Sequence, residues 1–439
     1  MLPSPQQLRS IIAATLDDLD AQGHDVRAAR DGLAHVGDSL DALVVFTREQ
    51  LGDGGPPIRD DWPYVEPDDL EEIVREAPGF GDRVTSAVDD PAQRVRDAFT
   101  ARVCGCMLGK PFEVFVTLDE IRAALDSTGE WPLADYPSEA ALRGLPSLHG
   151  QWRELHRDAI AHVAPDDDIN YTLLAMLVLE EHGVDFTHEH LRTLWLYNLP
   201  VLATFGPERT RLLRSGLLTV FGGHPMLASL LNPGAELCGA LIRADAYGYA
   251  CMGRPALAAT LAHRDASFTH RRTGVYGAMF VAAAIAVAPS AEGPLDIVRT
   301  ALRYVPQRSR FAERTREALE IVERADDWLG AHAEIRDRFG AFGFCAIHQE
   351  IATLINTLRF ADDTGHGICL QVMQGLDTDS FGATAGSILG SHLGPIDPRW
   401  TAAFDDTVHS ALALFHEQSL HAITDRMAAL PERIAQTTR

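Results

Sequence analysis

Apolar residues recur along this chain with the period of α-helices. Leu8, Ile11, Ile12, Leu16 and Leu19 share one helical face, and Val26, Leu33, Val36, Leu40, Leu43 and Val44 continue the pattern. They predict two or three helices over residues 1–51, broken by Gly52-Asp53-Gly54-Gly55-Pro56-Pro57. Pro67-Asp68-Asp69-Leu70-Glu71-Glu72 has the proline and acids of a helix start. A helix from Pro91 carries Val95, Phe99 and Val103 inward and ends at Lys110-Pro111, leaving Glu113 beyond its tip. Residues 116–164 are mixed. Pro165-Asp166-Asp167-Asp168 then opens a helix that is apolar through its middle and closed by Gly183. Residues 184–230 read as helical with a break at Gly222-Gly223. Tyr276 begins a buried helix, residues 295–340 form a solvated outer layer, and a further buried helix reaches Leu358. Asp362-Asp363-Thr364-Gly365-His366-Gly367 is a turn by composition, and residues 401–436 are helical. Period-two alternation is nearly absent. The expected fold is all-α: a compact multi-helix globule without a repeat of fixed period. An accessory N-terminal helical region is expected over residues 1–90 and the main domain over 91–439.

One stretch breaks the rules of a helix interior. After Asp377-Thr378-Asp379-Ser380, the glycines Gly382, Gly386 and Gly390 fall four apart among small and aliphatic residues. Each costs about 1 kcal/mol against Ala in a helix, so close backbone packing should offset them. Gly105 and Gly109 repeat the spacing. Carboxylate and hydroxyl oxygens at such a helix start suit Mg²⁺, Mn²⁺ or Ca²⁺; they equally suit an N-cap. Asp166-Asp167-Asp168 poses the same choice. Three adjacent carboxylates repel unless a cation or arginine sits among them, yet acids at a helix N-terminus also complement its dipole. Arg243 and Asp245, inside an apolar stretch, must be paired or face a cavity if buried.

Composition narrows the partners. The chain has 439 residues, 46% of them apolar, which is ample for a large core. Thirty-eight basic residues against 62 acidic ones give a formal charge of −24, which argues against nucleic acid or an anionic membrane as the main partner. The longest apolar run, residues 278–288, is too short to span a bilayer, and no signal-peptide core is visible. Six scattered cysteines lack zinc-knuckle spacing and read as reduced thiols of a cytoplasmic protein.

Taken together, four blocks resemble the ADP-ribosylglycohydrolase family. They are Gly105-Cys106-Met107-Leu108-Gly109-Lys110-Pro111-Phe112-Glu113, then Asp166-Asp167-Asp168, then Gly239 to Gly248 with Arg264-Asp265-Ala266-Ser267-Phe268-Thr269-His270, and Asp377-Thr378-Asp379-Ser380. The resemblance spans about residues 95–400. It implies an all-α fold and two Mg²⁺ ions (Mn²⁺ as an alternative) in a cleft, with cleavage at C1 of an ADP-ribosyl group. By matching position, Asp166, Asp167, Asp168, Asp377, Asp379 and Ser380 would hold metal. Glu113 or Asp168 would serve catalysis, and Arg243 and His270 would face an ADP-ribose-containing or ribosylated substrate. Cys106 stands where many members carry aspartate, and Asp166 and Ile169 replace two threonines. Two alternatives accompany this expectation: a glycosidase for a small N-ribosylated metabolite, and a non-catalytic binding relative.

Overall fold

Two helices lie backbone to backbone at the centre of the larger folded unit. In the computed structural model, which describes residues 4–52, 55–81, 86–221, 231–413 and 415–437, α1 spans Pro91–Gly109 and α6 spans Thr378–Leu393. A Cβ on Gly105 would stand 2.0 Å from the Gly382 carbonyl oxygen, and one on Gly386 2.3 Å from that of Ala101. The four-residue glycine spacing on each helix is thus the footprint of the other. Between them come α2 (Asp167–His182), α3 (Asp245–Ala250), α4 (Arg272–Val287) and α5 (Ile347–Phe360), and α7 (Leu420–Thr437) follows. Every residue of α4 from Thr273 onward is buried. Residues Arg272–Ser290 are long and apolar enough to cross a bilayer by composition, yet 89% of that window is buried in protein, as in a core helix.

Contacts divide the chain into two units. One comprises residues 1–65 with 204–235, the other 66–203 with 236–439. In the smaller, residues 1–51 form three helices where two or three were expected: Pro5–Ala21, Arg27–His35 and Leu40–Leu51. Ser4 and Gln7 close a capping box on the first. Leu8, Ile12, Leu16, Leu33, Leu43 and Phe46 form its own core. The sequence placed residues 66–90 in this accessory region; the structure groups them with the larger unit. Residues 204–235 return to the smaller unit, a long-range pairing that local periodicity does not encode. The Gly222-Gly223 break lies outside the described residues.

Two local expectations are corrected. Asp362-Asp363 is no free turn: the Asp363 side chain accepts from the His366 amide and starts a helix over Thr364–Met373. The stretch 401–436 is not wholly helical, because Thr407–His409 pairs antiparallel with Glu417–Ser419 before α7 begins. These are the only strands among the described residues.

Candidate metal centre

The acids meet where α2 and α6 begin. Asp166 is the N-cap of α2; its Oδ1 accepts from the Asp168 amide at 2.8 Å, and its Oδ2 takes Lys110 Nζ at 2.5 Å. Asp168 is buried, and its Oδ1 receives Arg102 Nη2 at 3.1 Å. The other oxygen, Oδ2, accepts from Ser380 Oγ at 3.0 Å. Arg102 also sets Nη1 2.9 Å from Asp245 Oδ1. Oxygens of Asp166, Asp168 and Asp379 lie within 4.8 Å of one another. The pattern-based choice between cap and ligand therefore resolves differently at the two helices. Asp166 caps α2 with one oxygen and pairs the other with Lys110. Asp377 occupies the N-cap position of α6 but makes no side-chain cap bond. Just before it, Gly375 and Leu376 both have positive φ, +77° and +71°. Left-handed backbone at a leucine is a strain that accumulates at functional sites.

Buried negative charge dominates this pocket. Burial, then the neighbouring acids, pushes the Asp379 carboxyl up to about 6. Asp168 is raised by burial despite Arg102, and Asp377 by burial, Cys345 and Asp379. Asp167 is half-exposed by surface area, yet burial of its carboxyl and the charge of Asp166 raise it too. Asp166 alone goes down: burial opposes ionisation, but Lys110 outweighs it. Glu113 follows a 3₁₀ turn, Lys110–Phe112, that continues α1. Burial, then Asp379 and Asp166, pushes it up to about 11. Against these carboxylates, Lys110 pairs with Asp166, and Arg102 is shared between Asp168 and Asp245. Asp379 Oδ1 is buried without a hydrogen-bond partner, a cost that a bound cation would remove. An oxygen-only donor set with surplus negative charge fits hard divalent ions.

The structure brings Asp166, Asp168, Asp379 and Ser380 together, with Glu113, Asp167 and Asp377 near enough to act on their charge. It does not place Arg243 or His270 as open sugar-binding groups. Arg243 is buried, with Nε 2.5 Å from Asp265 Oδ2 and its plane 5.1 Å from the Trp195 ring. His270 Nδ1 lies 2.7 Å from Thr269 Oγ1, which also accepts from Arg243. Arg243 and Asp245 were expected, if buried, to be paired or to face a cavity, and each is buried and paired. Sequence reasoning missed Arg102, Lys110 and Glu350. A charged residue three places before Gly105 on an apolar helix was the available signal for the first. Glu350, fully buried, holds the amides of Cys345 and Asp377 through Oε1 at 3.1 and 3.3 Å. Cys106, at the family's aspartate position, is buried beside the cluster; burial and then Asp166, Asp168 and Asp379 keep its thiol protonated.

Comparison with known proteins identifies the family. Residues 87–437 match the family described as ADP-ribosylglycohydrolase. A solved structure titled "ADP-ribosylglycohydrolase-related protein complex" is similar over 79% of this chain and 99% of that one, at 19% identity and a TM-score of 0.50. That likeness concerns the fold. No curated protein matches significantly.

Proposed function

The chain belongs to the ADP-ribosylglycohydrolase family, and from that premise we propose that it hydrolyses the C1 glycosidic bond of an ADP-ribosyl or related ribosyl group. The observation that carries the reading is the buried cluster of Asp166, Asp168 and Asp379 with the unpartnered Asp379 oxygen. Asp166, Asp168, Asp379 and Ser380, with Asp167 and Asp377 beside them, would hold two Mg²⁺ ions. Such ions supply Lewis acidity that orients vicinal ribose hydroxyls and makes water more acidic.

The chain's own groups do the rest. Arg102 and Ser380 fix both oxygens of Asp168, so its carboxylate is oriented before any ligand arrives. Glu113 sits at the end of the α1 extension, half-buried, where burial and then its negative neighbours favour the protonated carboxyl. It is therefore suited to carry the proton exchanged at C1 as positive charge develops there. Phe115 and Phe344 pack with ring centroids 3.9 Å apart and planes tilted by 33°, and remain 58% and 46% exposed. Phe115 follows Glu113 by two residues, and such a face suits a flat base.

Calorimetry with Mg²⁺ and ADP-ribose tests the reading: binding of both is expected, and binding of neither overturns it. Comparing ADP-ribose release from modified protein with free-base release from nucleosides separates a protein substrate from a small N-ribosylated one.

A further inference from the structure

Asp377 turns its carboxylate away from capping and toward two thiols. Cys238 Sγ and Cys345 Sγ both approach Asp377 Oδ2, at 3.2 and 3.3 Å. The backbone places them as a pair. Leu237 bridges Ala346 in antiparallel fashion and the Cys238 amide donates to the Cys345 carbonyl at 3.1 Å, so the two cysteines stand opposite each other. All three ligand atoms lie within 4.8 Å of one another. A tetrahedral zinc ion with Zn–S near 2.3 Å and Zn–O near 2.1 Å requires S···O separations of about 3.6 Å. The observed distances need to open by only a few tenths of an ångström. Glu350 braces two of the three ligand residues. Its Oε1 holds the amides of Cys345 and Asp377, while its Oε2 is fully buried and unpartnered. No lysine or arginine pairs with Asp377 or Glu350 among the described residues.

We propose that Cys238, Cys345 and Asp377 form a binding site for a thiophilic divalent cation of the zinc class. This goes beyond the hydrolase reading and shares only Asp377 with it, because Asp166, Asp168 and Asp379 form a separate cluster to which neither thiol belongs. Thiolates select softer ions where carboxylates select Mg²⁺. On binding, both thiols ligate as thiolates and release their protons to water, so affinity falls in acid. Asp377 faces both groups of ligands, and a zinc-class ion there withdraws it from Mg²⁺.

The test titrates Co²⁺, a spectroscopic stand-in for zinc, into the full-length reduced protein. A sulfur-to-cobalt charge-transfer band is expected, displaced by Zn²⁺ and lost in C238S/C345S. Absence of the band, or its persistence in that double variant, overturns the proposal. Asp168→Ala separates the two readings, since it should lose Mg²⁺ binding and keep the band. In the wild-type protein, Zn²⁺ should also slow alkylation of half-exposed Cys345 by about an order of magnitude. Unchanged alkylation by mass spectrometry counts against the site even if the double variant misfolds.

Discussion

Gly109 and Thr378 join α1 to α6 at the point where the acids converge. Thr378 Oγ1 donates to the Gly109 carbonyl at 2.8 Å, and a Cβ on Gly109 would lie 2.1 Å from the Thr378 carbonyl oxygen. The next residue in each direction of function is a site residue, Lys110 on one helix and Asp379 on the other. Gly109→Ala should therefore separate the helix ends, costing at least about 1–3 kcal/mol by overpacking, and weaken Mg²⁺ binding. Gly330→Ala, in an open helical position whose nearest contact is Asp327 Oδ1 at 3.5 Å, should be neutral or gain up to about 1 kcal/mol. Urea unfolding of both variants checks the contrast.

Lys110 competes with metal for Asp166. Lys110→Met leaves that carboxylate buried and unpaired, so the cation-free protein should lose about 3–5 kcal/mol. Mg²⁺ should then bind more tightly than to wild type. Calorimetry showing weaker Mg²⁺ binding would mean that the ammonium supports the metal centre rather than substituting for it.

The charge surplus sets a pH dependence. Burial, then Asp166, lifts Asp379 to about 6, and burial lifts Glu350 to about 8. Both lie above the ordinary carboxylate range, so the folded state holds protons that the unfolded chain releases. Their stabilising contribution is complete below about pH 4 and disappears as pH rises through 6 and then 8. The melting temperature in EDTA should fall from about pH 5 to about pH 8, and Mg²⁺ or Asp379→Asn should flatten the fall. A melting temperature that climbs across that range would contradict the charge account.

Glu113→Gln keeps the shape of the side chain and removes its proton exchange. Turnover should drop by about 10²–10⁴ while Mg²⁺ affinity and KM stay near wild type. Loss of Mg²⁺ binding in this variant would reassign Glu113 to the ligand set.

Much of this was legible in the sequence, for reasons that differ by feature. Helical class and the start of α2 follow from periodicity and capping chemistry within a few residues. The glycine spacing of α1 and α6 announced a close contact, and each helix proved to be the other's partner. Asp363 shows the limit: its acids and glycines read as a turn, but the same residues cap a helix when the following segment finds a core to pack on.

Sequence alone determined that carboxylates would gather at two helix starts, because backbone periodicity and cap preference are properties of near neighbours. Only the tertiary structure decided what answers their charge. Lys110 meets Asp166 across 56 residues, Arg102 meets Asp168 across 66, and Cys238 meets Asp377 across 139. Such pairings are set by which helices pack together, and burial then makes every uncompensated carboxylate costly enough to need a partner.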